Sequence, residues 1–133
     1  MSLTVIITDD DPVAVYIQRT LLQRSKIGST PLTFLKGRET LAYFDLHYKR
    51  GETYLILMDI NMPDITGWEL LDILKQRNYD GIHVAVVSSS IDNADLEKSK
   101  NYDQVVGYFE KPIDLSGLVK IKAIEGLHKF FAR

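Results

Sequence analysis

The sequence contains no cysteine, so neither disulfide bonds nor a thiolate metal site holds the fold together. That absence fits a reducing compartment. There is no surplus of positive charge: 16 Lys and Arg against 18 Asp and Glu leave a formal net charge of −2. The balance gives no electrostatic case for nucleic-acid binding, which shows as a basic face. There is no long apolar run either. The opening "MSLTVIITDDD" lacks a positive n-region and is apolar over only a few residues, which excludes a signal peptide and a membrane span. No internal repeat or low-complexity tract occurs. G-x-x-x-x-G-K-[ST] is missing, which excludes a P-loop nucleotidase. What remains is 133 residues, 45% hydrophobic and 26% charged, an ordinary globular composition that can bury a core without staples. The expectation is one domain over residues 1–133 with a core of about 3–130, soluble and cytoplasmic, with no membrane or direct nucleic-acid partner.

Short apolar runs alternate with amphipathic segments. The runs are "LTVIIT" (3–8), "PLTFL" (31–35), "YLILMD" (54–59), "IHVAVVSS" (82–89) and "VVGYF" (105–109). They have strand length and β-rich composition. Apolar residues at nearly every position suggest strands covered on both faces, as in a parallel sheet. The intervening segments read as helices. Asp11-Pro12 predicts an N-cap and a first-turn proline, and Val13, Tyr16, Ile17 and Leu21 recur at helical spacing behind it. A second helix is expected around Arg38–Lys49, with Leu41, Phe44 and Tyr48 on one stripe. "TGWELLDILKQR" carries a Thr66–Glu69 capping box and an apolar face of Leu70, Leu71, Ile73 and Leu74. Asp92 caps a fourth helix, and Asp114 caps a fifth that reads through "DLSGLVKIKAIEGLHKFF". Five strands alternating with five helices imply a doubly wound α/β fold.

In such a fold the functional crevice lies at the carboxyl ends of the strands. Strand one ends in Asp9, Asp10 and Asp11, strand three in Asp59, strand four in Ser88, Ser89 and Ser90. Lys111 stands just past strand five. Carboxylates, a hydroxyl and an ammonium form a set suited to a hard divalent cation and a phosphoryl group. Three adjacent aspartates repel one another unless positive charge sits among them, and a cation and Lys111 supply it.

The acidic cluster after strand one, "MDINMPDITG" with its MD-x-x-MP-x-x-x-G pattern, Ser88, and "GYFEKP" occur in order. With them the chain resembles the response regulator receiver domain, the CheY-like phosphoacceptor module of two-component signalling, from Thr4 to about His128. The resemblance implies a flavodoxin-like, five-stranded parallel sheet of order 2-1-3-4-5 with helices on both faces. It implies that Asp59 is the phosphoacceptor and that Asp9, Asp10, Asp59 and the backbone carbonyl of Asn61 hold Mg²⁺, with Mn²⁺ able to substitute. Asp10 is the more direct ligand of the acidic pair. Ser88 and Lys111 match the hydroxyl and ammonium that contact the phosphoryl group, Pro112 a proline often preceded by a cis bond, and Tyr108 the aromatic switch partnered with Ser88. Asn61 and Ser90 match positions that tune dephosphorylation. The implied switch draws the loop after strand four inward and lets Tyr108 turn in from the surface. The implied readout face is helix four, strand five and helix five, roughly Asp92–Phe130.

The implied partners are a sensor histidine kinase or histidine phosphotransfer protein and an unknown output protein. The module is not a dedicated enzyme, since it catalyses only its own phosphorylation and slow dephosphorylation. A stand-alone receiver without an output domain, monomeric or weakly dimeric, is expected. Other readings remain open. A flavodoxin-like cofactor binder would want a glycine-rich phosphate loop where "TDDDP" stands. A haloacid-dehalogenase-type phosphatase also uses an aspartyl nucleophile, and Asp9-Asp10-Asp11 contains its D-x-D, but the chain lacks room for a cap domain. A receiver that has lost phosphorylation would not need so complete a pocket. Asp11 reads as a helix cap before a ligand, and Ser89 and Ser90 as capping-loop residues. His47, His83 and His128 share no spacing, His83 reads as structural, and Trp68 as packing or surface.

Overall fold

Every apolar run forms a strand. In the computed structural model, which describes residues 2–28, 30–89 and 92–131, the elements are β1 (Leu3–Thr8), α1 (Pro12–Arg24), β2 (Leu32–Phe34), α2 (Gly37–His47), β3 (Thr53–Met58), α3 (Gly67–Gln76), β4 (Ile82–Ser88), α4 (Asn93–Ser99), β5 (Val105–Glu110) and α5 (Leu115–Lys122). All four strand pairings are parallel and the order is β2-β1-β3-β4-β5. The reversal of order beside β1 makes a topological switch point between β1 and β3.

Helices cover both faces. Val5, Ile7, Leu55, Leu57, Ala85 and Val87 pack with Val15 and Leu22 of α1 and Leu118 and Ile121 of α5. Ile6, Ile56, Met58, Val84 and Val86 point the other way, toward Phe44 of α2 and Leu70, Leu71 and Leu74 of α3. The alternation follows from the period-two geometry of a strand. Burial on both faces explains why β3 is apolar at nearly every position. On the second face Phe44 is fully buried in an aromatic group, with ring centroids 5.1 Å from Tyr54 and 5.7 Å from Tyr43. Trp68 is buried at the start of α3, stacked on Tyr102 at 5.5 Å with the Lys98 ammonium 5.4 Å from its ring.

Four helix starts are closed by their own residues. Asp11 accepts from Val13 N, Asp92 from Asp95 N and Asp114 from Gly117 N, and Thr66 and Glu69 form a reciprocal capping box. Each cap contributes about 1 kcal/mol. α2 differs: its N-cap position, Lys36, makes no side-chain bond. Asp64, from the loop after β3, accepts from Gly37 N at 3.2 Å and Arg38 N at 2.8 Å instead. The carboxylate thereby meets both the free amides and the positive end of the helix dipole.

α1 forms as expected but buries a face other than its most apolar one, and the length expected of α5 needs correction. α1 buries Val15, Gln18 and Leu22. Val13 and Tyr16 are 65% and 63% exposed, Ile17 is 39% exposed, and Leu21 is only half-buried. The apolar stripe read from the sequence lies about half a turn away from the face that meets the sheet, because that face carries a glutamine. α5 also ends at Lys122 rather than near Phe130. The chain leaves the helix at Ala123, turns through Gly126 at φ +91°, and makes one 3-10 turn at His128–Phe130. A Cβ on Gly126 would lie 2.9 Å from Nε2 of His83 on β4, so the turn demands glycine both in conformation and in space. No helix among the described residues is long and apolar enough to cross a membrane.

Phe44→Ala removes the most enclosed aromatic side chain of the α2 face and is expected to destabilise the domain by about 3–5 kcal/mol, read as the denaturation midpoint and slope in urea.

Candidate functional site

Register decides which residues share the crevice. Thr8 pairs with Met58, Met58 with Val86, and Ser88 with Glu110. The next residue out of β1 is Asp9, out of β3 Asp59, and out of β5 Lys111. Backbone bonds fix these exits: Asp9 N donates to Phe34 O, Asp59 N to Thr8 O at 2.9 Å, and Lys111 N to Ser88 O at 2.8 Å. Beneath the Asp59 exit, Gly67 opens α3 in close contact with the loop. A Cβ there would meet the Asp59 carbonyl oxygen and the Met58 side chain, each at 2.9 Å. The glycine that closes the MD-x-x-MP-x-x-x-G pattern is thus needed for packing against the turn that carries Asp59.

The structure brings Asp9, Asp59 and Lys111 into direct contact. Lys111 Nζ lies 2.7 Å from Asp9 Oδ2 and 2.8 Å from Asp59 Oδ2. Asp9 is 1% and Asp59 6% exposed, whereas Asp10 stands open to solvent at the rim. Asp59 Oδ1 accepts from Asn61 N at 3.1 Å, and Asp9 Oδ1 accepts from Asp11 N at 3.0 Å. Asp11 faces outward and caps α1.

Charge in so enclosed a place shifts titration. Burial, the strongest influence on Asp9, holds its carboxyl above the ordinary value despite hydrogen bonds from Lys111 and Asp11 N. Burial alone would lower Lys111. The hydrogen bonds to Asp59 and Asp9, with their negative charges, outweigh it and hold the ammonium above its usual value. Lys111 therefore stays a cation, and the crevice keeps one fixed positive charge against its aspartates.

One oxygen each of Asp9, Asp10 and Asp59 lie within 4.8 Å of one another. Three carboxylate oxygens at that spacing, beside a solvent-facing rim, suit a hard oxygen-seeking cation such as Mg²⁺ that retains several waters. They do not suit a soft metal. Asn61 is exposed and follows Asp59 by two residues.

Ser88 is buried at the end of β4. Tyr108 is half-buried and packs against the α2–α3 side of the core. Burial and the nearby Asp95 push its phenol up, with the Ser88 side chain opposing. The Lys111–Pro112 peptide is cis. Ser89 is exposed, and Ser90 lies outside the described residues. His47 packs on Tyr43 in a tilted pair at 5.0 Å, and His83 lies against Gly126.

One residue of the site escapes the sequence reading. Gln18 of α1, 3% exposed, donates from Nε2 to Asp9 Oδ2 at 3.2 Å. Among the described residues its buried Oε1 has no partner. An amide oxygen in that state costs about 1–3 kcal/mol. The only sequence signal was a polar residue on the buried face of an otherwise amphipathic helix.

The family model for the response regulator receiver domain matches residues 5–123. No curated protein sequence matches the chain. Among solved structures, a two-component response regulator from Cytophaga hutchinsonii superposes with a TM-score of 0.80 at 28% identity, covering 90% of this chain and 92% of that one. A response regulator receiver protein from Dyadobacter fermentans gives 0.79 at 21% identity over 91% and 95%. One from Pseudomonas putida gives 0.75 at 22% over 91% and 95%. The last two support the fold alone.

Asp9→Asn is expected to raise the metal-free Tm by a few degrees, because it removes the cost of a buried charge. The sign in pH follows from the raised carboxyl. A group that binds its proton more tightly folded than unfolded contributes stability at low pH. That contribution is lost as pH rises from the unfolded carboxylate range through the raised folded value. In EDTA, the Tm advantage of Asp9→Asn over the parent should therefore shrink as pH is lowered through that window, as checked by thermal melts at a series of pH values.

Proposed function

Because the chain belongs to the response regulator receiver family, we propose that it accepts a phosphoryl group on Asp59 from a sensor histidine kinase or histidine phosphotransfer protein and signals by a changed protein-binding surface. The observation that carries this reading is the Lys111 ammonium shared between Asp9 and Asp59 at 2.7 and 2.8 Å. It marks the crevice as a place built to hold an anion among carboxylates.

Asp9, Asp10, Asp59 and the backbone carbonyl of Asn61 are the groups that would hold Mg²⁺, or Mn²⁺ in its place. When bound, the cation screens the repulsion between the entering phosphoryl group and the carboxylates and stabilises charge on its equatorial oxygens. The chain does the rest. The Asp59 turn, held by Asp59 N on Thr8 O and by Asn61 N on Asp59 Oδ1, fixes the attacking carboxylate. An Asp59 oxygen attacks phosphorus as the P–N bond of the donor phosphohistidine breaks and the imidazole leaves. Lys111, already on Asp59 Oδ2, is within reach of a phosphoryl oxygen. Ser88, at the end of β4, offers its hydroxyl to a phosphoryl oxygen. The product is an acyl phosphate that water slowly hydrolyses, so the chain is a phosphoacceptor rather than an enzyme acting on free substrate.

Drawing Ser88 and the loop after β4 toward the phosphoryl group, with Tyr108 following, alters the surface formed by α4, β5 and α5, which is where the output protein would bind. In thermodynamic terms the phosphoryl group biases a two-state equilibrium through contacts that differ between the states. The cytoplasm, where such donors act, is the corresponding location.

Intact-protein mass after incubation with acetyl phosphate and Mg²⁺ should show the addition of one phosphoryl group. Asp59→Asn and an EDTA-treated sample should show none. Absence of the adduct in the parent, together with absence of Mg²⁺ binding by calorimetry, would overturn the phosphoacceptor reading.

A further inference from the structure

We propose that Gln18 is a positioning residue for the cation site, holding Asp9 in place once Lys111 is drawn away. The proposal rests on the reading of the crevice as a phosphoacceptor site. It starts from a mismatch in α1: among the residues that the helix buries, Val15, Gln18 and Leu22, the middle one is an amide. It stands 3% exposed over the sheet, its oxygen has no partner among the described residues, and its nitrogen reaches Asp9 Oδ2 at 3.2 Å. The amide orientation is set by charge, since the reverse would face an oxygen toward a carboxylate. A leucine or methionine at this place would avoid the buried, unpartnered oxygen. The chain keeps the glutamine at a cost in stability, and the Asp9 contact is what it obtains.

That contact matters because of how Asp9 is held. Oδ1 accepts from Asp11 N at 3.0 Å, and Oδ2 is shared by Lys111 Nζ at 2.7 Å and Gln18 Nε2 at 3.2 Å. Lys111 also serves Asp59, and an arriving cation or phosphoryl group repels or attracts that ammonium away from Asp9. Gln18 is neutral and anchored by its helix, so it is the donor that remains on Oδ2. With both oxygens bonded to the protein, Asp9 turns an oriented carboxylate toward the cation and its waters, and Asp10 at the open rim takes the direct role. Partners of this kind, one bond removed from the metal, tune affinity by about 10- to 100-fold.

The test separates positioning from packing by asking whether stability and metal affinity move in opposite directions. Gln18→Met keeps the unbranched shape, and Gln18→Leu, of different shape, guards against a packing artefact of one substitution. For each, the Tm is measured in EDTA and the Mg²⁺ dissociation constant by calorimetry, beside the parent and Asp10→Asn. The expected result is a metal-free Tm equal to or above the parent's in at least one variant, with Mg²⁺ bound roughly 10-fold more weakly in both. Mg²⁺ affinity equal to the parent's in either folded variant overturns the proposal. So does a metal-free Tm lowered in both, which would make Gln18 a packing residue. A parent that binds no Mg²⁺ sinks the site reading itself, and the proposal with it. Asp10→Asn distinguishes the cases, since it should lose Mg²⁺ binding through a direct ligand whatever the role of Gln18.

Discussion

Three aspartate side chains converge where the first and third strands of a parallel sheet end, and two of them are almost wholly removed from water. Everything else near the crevice answers that electrostatic constraint. Charge of one sign at such spacing is tolerated only where fixed donors and an opposite charge are supplied. The supply comes from the backbone of Asp11 and Asn61, from the Gln18 amide, and above all from the Lys111 ammonium set between Asp9 and Asp59. Lys111 reaches them because β5 ends beside Ser88, and its own N–H is tied to the Ser88 carbonyl. The sheet register and the charge balance are therefore one design: a slip of one residue in β5 would carry the ammonium to the other face.

The order of elements and the residues of the acidic crevice were legible in the sequence because local chemistry and global fold agree there. Asp11, Thr66, Asp92 and Asp114 each cap the helix that follows, by bonds spanning two or three residues, and such bonds are visible in a string of letters. The strand ends were legible because β-rich runs stop abruptly at charged residues. What was not legible depends on contacts between distant segments. The α1 stripe of Val13, Tyr16 and Ile17 has correct helical spacing, yet the sheet takes the face of Val15, Gln18 and Leu22. The capping of α2 by Asp64 spans 26 residues. The end of α5 is fixed by Gly126 against His83, a strand away.

The aromatic position beside Ser88 illustrates a different limit. The family pattern identifies Tyr108 as the residue paired with Ser88, but no pattern states which way the ring points. Here the side chain is half-buried against the α2–α3 side of the core, and Asp95 of α4 lies close enough to push its phenol up.

The chain has a single tryptophan, and its seat is informative. Trp68 follows Gly67, whose backbone packs closely against the Asp59 carbonyl, and its indole stacks on Tyr102 with the Lys98 ammonium of α4 also against the ring. One side of the chromophore is therefore joined to the turn that bears the acidic crevice and the other to the helix on the readout side. The emission of this indole is an internal optical gauge of how closely α4 is seated on α3. Its wavelength and quenching can be followed in unlabelled protein, with no competing indole anywhere in the sequence.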